Sequence, residues 1–154
     1  MDETQCLRMI RASLAPSTGC TEPAAIALNA ATARKAAQGT VTQVTARLDA
    51  YLFKNAMGVG IPGADERGVD LCVALGITAG DADAGLQVVS HVTPEQIAAL
   101  PGYMAQTKFE ISAAESEYLL DIEVTVRAND HFATVRAVQE HTNIVLVETD
   151  AGVL

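Results

Sequence analysis

Residues 120–131 read Leu120-Asp121-Ile122-Glu123-Val124-Thr125-Val126-Arg127-Ala128-Asn129-Asp130-His131. Apolar and polar side chains alternate from Leu120 to Val126, the period of a strand with one buried face. Asn129-Asp130 is a good two-residue hairpin turn. Residues 131–139 return as the partner strand, and 143–149 supply another. Upstream, Phe109 and Ile111 alternate in a further strand.

The rest of the chain reads differently. Residues 3–13, with Leu7, Met9, Ile10 and Leu14 apolar, predict a short amphipathic helix that Pro16 stops. Residues 22–37 predict a second helix, with Thr21 as N-cap, Glu22 complementing the dipole, Pro23 in the first turn and Gly39 as C-cap. Val44, Ala46, Leu48, Ala50 and Leu52 then alternate with polar residues as a strand, followed by a glycine-rich turn from Gly58 to Gly63. Residues 64–78 and 81–90 read as helices split at Gly80, with Asp81 capping the second. Thr93-Pro94-Glu95-Gln96 opens another that ends near Pro101-Gly102. Helices segregated from an antiparallel sheet predict one α+β domain over residues 1–154, its N-terminal and central helices packed on a mostly antiparallel sheet.

Composition narrows the function classes. The chain has 154 residues, enough for a real core, and a net charge of -9. An acidic surface argues against nucleic acid and anionic membrane as partners. No signal peptide and no apolar span of membrane length is visible. The three cysteines, at 6, 20 and 72, form no CxxC pair and no structural zinc pattern, and their free thiols suggest the cytoplasm. Cys72 lies in an apolar helical run and reads as a core residue, and Cys6 reads as structural.

Three stretches carry chemistry. In Ser17-Thr18-Gly19-Cys20-Thr21-Glu22-Pro23 a thiol stands at the mouth of a helix, where partial positive charge favours a thiolate. Glu22 opposes that effect and could equally receive or relay a proton. The bland alternative is a helix start that happens to contain a cysteine.

The second stretch is Lys54-Asn55-Ala56-Met57-Gly58-Val59-Gly60-Ile61-Pro62-Gly63. Gly58 to Gly63 matches GxGxxG, which invites a dinucleotide-binding reading. The preceding strand is amphipathic, no parallel strand is visible after the helix, and Pro62 removes an N–H, all of which argue against it. A loop that lets backbone approach a small anionic ligand fits better, with Lys54 and Asn55 as polar contacts. A tight strand–helix connection is the alternative. The third stretch, His141-Thr142-Asn143-Ile144, could donate hydrogen bonds to a carboxylate or simply close a turn. No HxH, HExxH or Asp/Glu–His spacing supports a self-contained metal site.

These three stretches, in this order, resemble the L-cysteine desulfidase family of the serine dehydratase alpha-chain-like group. Ala84-Gly85-Leu86, Thr93-Pro94-Glu95 and Glu123-Val124-Thr125-Val126 extend the resemblance over essentially the whole chain. It implies a cytoplasmic lyase of amino-acid catabolism that breaks L-cysteine into pyruvate, ammonia and sulfide with a [4Fe-4S] cluster, L-serine being the related substrate. By position, Cys20 would be the base or a contact to the cluster, with Glu22 beside it. Thr18, Gly19, Thr21, Lys54, Asn55, Gly58, Gly60, His141 and Asn143 would surround the substrate. The family's enzymes are longer, and their other cluster cysteines lie in the later part. The resemblance therefore implies an N-terminal domain, inactive without a missing C-terminal domain or partner subunit. The alternative is a stand-alone binding or assembly module, or one subunit of a split enzyme. The alanine-rich helix 22–37, apolar around most of its circumference, expects cover on more than one side and points to a homo-oligomer.

Overall fold

Valine, isoleucine and alanine at every second position build a six-stranded sheet in the computed structural model, which describes residues 2–14, 16–17, 19–60 and 67–154. The strands are β1 (Val41–Asp49), β2 (Lys108–Ala114), β3 (Asp121–Ala128), β4 (His131–Val138), β5 (Ile144–Thr149) and β6 (Gly152–Val153). Their order is β2-β1-β3-β4-β5-β6, and every pair is antiparallel except β1–β2. The 129–130 turn joins β3 to β4, with Ala128 opposite His131 and Asn129 at φ 52.

The helices are α1 (Glu3–Ser13), α2 (Thr21–Ala37), α3 (Ala50–Gly58), α4 (Val69–Ala79) and α5 (Pro94–Gln106). This is the expected α+β architecture, helices packed on a mostly antiparallel sheet. None of the described helices is long and apolar enough to cross a membrane.

One sheet face is dry. Val44, Ala46, Leu48, Ile122, Val124, Val126 and Val135 on it are all fully buried. Helix α2 lies on this face against β3 and β4, and α4 packs alongside α2. Residues 23–31 of the alanine-rich helix are all buried within the chain, the burial a helix apolar all round demands. Small residues let α2 and α4 approach closely: a Cβ on Gly76 would fall 2.8 Å from the Ala27 Cα, and one on Gly80 would fall 3.0 Å from the Ala31 Cβ. Positions 27 and 31 face 76 and 80 in the same order, so the two helices run parallel. Both begin at the same end of the domain.

Several boundaries differ from the sequence reading. Cys20 and not Thr21 is the N-cap of α2, and Gln38 (φ 52) is its C-cap, with Gly39 (φ 84) following. The strand expected to reach Leu52 stops at Asp49, whose side chain accepts from the N–H groups of Tyr51 and Leu52 and opens α3. A local cap outweighed the continuing alternation. Residues 81–90 hold only a 3-10 turn, Gly85–Gln87, because Asp81 bends the chain by accepting from the Asp83 N–H and donating its own to Val88. Helix α5 runs through Pro101 to Gln106. Buried Leu100 and the edge-to-face contact of Tyr103 with Phe109 hold the extra turn in place. The crossover through α3, α4 and α5 makes β2 parallel to β1, a pairing that alternation alone does not encode.

Candidate functional site

The start of α2 was singled out by sequence, and its geometry is specific. Gly19 takes φ 83, which turns the chain so that Cys20 caps the helix with extended backbone. The thiol does not cap any N–H of the helix. It donates to Glu22 Oε2 at 2.8 Å, and Thr21 Oγ1 donates to the same oxygen at 3.3 Å. Cys20 is exposed, and Thr21 and Glu22 are half-buried.

The electrostatics follow from that contact. The hydrogen bond to Glu22, aided by partial burial and the carboxylate's charge, holds the Cys20 thiol above its ordinary pKa. The same bond holds Glu22 below the usual carboxylate range, with a smaller pull from His141. The dipole at the helix start favours a thiolate, but the adjacent carboxylate is nearer and wins. At neutral pH the pair is a protonated thiol on an ionised carboxylate.

His141 stands half-buried in the turn between β4 and β5, close enough for its charge to act on Glu22. Asn143 shapes that turn. Its Nδ2 donates to the Val138 carbonyl at 2.9 Å, its N–H to Glu140 O, and its carbonyl accepts from the Val138 N–H. Asn143 is therefore a clamp that supports His141's position.

The other site residues are placed differently. Lys54 and Asn55, expected in a loop, are exposed on α3. Among the described residues no hydrogen bond or ion pair joins either to Cys20 or Glu22. Gly58 is the last residue of α3, where its carbonyl accepts from Arg67, and Gly60 bridges to Arg67. Thr18 and the segment 61–66, which includes Gly63, lie outside the described residues.

The thiols do not fit a [4Fe-4S] cluster, which takes several thiolates at one place. Cys72 is fully buried in α4, donates to the Gly68 carbonyl at 3.2 Å and is pushed up to about 12 by burial. Cys6 sits on α1. Among the described residues no three His, Cys, Asp or Glu side chains gather as metal ligands. Cys20 alone is an exposed thiol at the candidate site.

The sequence reading missed a second polar cluster. Asp49 Oδ2 accepts the Asp121 N–H at 2.9 Å, while its Oδ1 opens α3. Asp121 in turn takes Arg136 Nε at 2.9 Å, Arg136 Nη2 at 2.7 Å and the Ser116 hydroxyl at 2.7 Å. The only hint in the sequence was a polar residue at each of these strand positions. The cluster ties β1, β3 and β4 together at one end of these strands and lines a cavity of about 140 Å³.

Comparison with known proteins corrects the family expectation. The chain is 36% identical over 146 residues to a UPF0597 protein of Dichelobacter nodosus, covering 95% of this chain and 34% of the relative. It is 38% identical over 142 residues to a UPF0597 protein of Oleidesulfovibrio alaskensis, covering 92% and 33%. It is 34% identical over 148 residues to a UPF0597 protein of Clostridioides difficile, covering 96% and 35%. No family model and no solved structure matches the chain. The expected resemblance to the L-cysteine desulfidase and serine dehydratase group is thereby overturned, because these relatives carry the UPF0597 name and neither of those. Short motifs built from Gly, Cys, Thr and Pro suit many helix starts and turns, whereas identity along the whole chain does not arise that way. By sequence, this chain is similar over nearly its full length to UPF0597 proteins and spans about a third of theirs.

Proposed function

We propose that this chain supplies the proton-handling part of a lyase site for a small amino acid, L-cysteine or L-serine, and works together with a further domain or partner subunit. The observation that carries the reading is the 2.8 Å hydrogen bond from Cys20 Sγ to Glu22 Oε2. A β-elimination removes the α proton and expels the β-substituent. As Sγ takes the α proton, the thiol's own proton passes to Glu22 Oε2, so a free thiolate is not required. The electron pair of the Cα–H bond forms the Cα=Cβ bond. The substituent leaves with its own pair, and the proton now on Glu22 is available to it.

Two features support binding of the substrate carboxylate nearby. The parallel helices α2 and α4 present their positive ends on the same side, and Lys54 stands on the neighbouring α3. A [4Fe-4S] cluster is not built from the thiols present, and no step here runs through one. The free thiols suit a reducing compartment, and the cytoplasm is the natural one.

The test is pyruvate and sulfide release from L-cysteine, and pyruvate release from L-serine. It is run anaerobically with this chain alone and with the two thirds of a UPF0597 relative that it does not match. Turnover in the mixture, lost with Cys20→Ala and with Glu22→Gln while circular dichroism stays unchanged, supports the reading. Turnover that survives both substitutions overturns it.

A further inference from the structure

We infer that two copies of this chain associate by seating α1 of each in the groove beside Tyr51 and Leu119 of the other. This does not rest on the lyase reading.

Helix α1 is well specified locally. Its capping box is complete: Gln5 N–H donates to Asp2 Oδ1 at 2.7 Å, and Asp2 N–H donates to Gln5 Oε1 at 3.1 Å. Yet it packs on no other described element over more than a marginal contact. Leu7, Ile10 and Leu14 follow i, i+3, i+7 spacing on one stripe and are 47%, 53% and 72% exposed. An 11-residue helix is marginal in water on its own, so this stripe needs a surface.

The groove has the complementary character. It encloses about 540 Å³ between the start of α3 and the β2–β3 connection. Tyr51 and Leu119, 72% and 86% exposed, line it. Glu115 and Glu117 edge it, and neither carboxylate has a partner among the described residues. Arg8 and Arg11 flank the α1 stripe and are likewise unpaired there. In a chain of net charge -9, acidic surfaces repel one another, and α1 carries a basic edge that can meet an acidic groove.

The geometry allows a reciprocal exchange. Helix α2 turns directly into β1 and runs opposite to it, so the end of β1 at Asp49 lies at the end where α2 begins. Helix α1 immediately precedes α2 in the chain, and Asp49 and Ala50 at that end line the groove. Exchange of α1 between two copies forms two identical contacts about a twofold axis.

Sedimentation velocity on the full chain, from micromolar to millimolar, tests this. The expected result is a dimer whose dissociation constant rises at least about tenfold in R8E/R11E and in E115R/E117R. Mixing the two variants should restore a one-to-one heterodimer, because both exchanged contacts become complementary again. Leu119→Asp should weaken the dimer similarly. All these positions are exposed, so circular dichroism should show unchanged folding. A chain that stays monomeric throughout, including one with α1 folded onto its own groove, overturns the inference. So does a dimer indifferent to both charge reversals, or a mixture that does not pair.

Discussion

Gly76 of α4 lies directly against the backbone of Ala27 in α2: a side-chain carbon added there would sit 2.8 Å from the Ala27 Cα. The helix that carries Cys20 is held at this distance from its neighbour along the buried seam. Gly76→Ala should therefore destabilise the fold by about 2–3 kcal/mol, although alanine is the better helix former, because overpacking outweighs propensity. Urea unfolding checks this: a lower midpoint with an unchanged slope is expected, and an unchanged or raised midpoint would mean the seam can open without cost.

The Asp121–Arg136 pair should show in the pH dependence of stability. The Arg136 hydrogen bonds, with Ser116 helping, hold the Asp121 carboxyl below its ordinary value. A carboxyl whose folded pKa is depressed contributes stability that is complete above its unfolded value, about 4, and lost as pH falls through the folded one. The native chain should lose stability below about pH 4 more steeply than Asp121→Asn. Arg136→Met should cost about 1–3 kcal/mol at neutral pH, less than for a fully buried pair because the guanidinium is partly solvated. Parallel acid limbs for the native chain and Asp121→Asn would show that the pair does not differ between folded and unfolded states.

Alkylation of Cys20 reports on the thiol–carboxylate pair. Glu22 raises the thiol's pKa both by accepting its hydrogen bond and by its charge. Glu22→Gln keeps an acceptor and removes the charge, so the Cys20 pKa should fall. Iodoacetamide labelling of the Cys20 peptide at pH 8, followed by mass spectrometry, should then accelerate roughly three- to tenfold. Buried Cys72 should stay unlabelled in the folded chain. An unchanged Cys20 rate would mean the contact is too short-lived to govern the proton.

The legible part of this protein lies in its local patterns. Alternation from Leu120 to Val126 and the Asn129-Asp130 turn announced the β3–β4 hairpin. Thr93-Pro94 announced the start of α5. Cys20 at a helix mouth was visible from its neighbours, and so was the conflict with Glu22. Lys54 and Asn55 were misplaced because the alternation through Leu52 hid the cap made by Asp49. The Asp49–Asp121–Arg136 cluster was not legible, since its members are separated by up to 87 positions and meet only through strand order.

The sequence by itself determined most of the strands and helices, though not α3 or the turn within 81–90, and that a thiol and a carboxylate two residues apart share the start of α2. Both depend on side chains within a few residues of each other, so short-range sterics and hydrogen bonding decide them. Tertiary structure alone decided the rest. It made β2 parallel to β1, put α4 alongside α2 through Gly76, and brought the His141 turn within electrostatic reach of Glu22. Those outcomes depend on which apolar faces cover each other in three dimensions, a long-range choice that no single window of the chain contains.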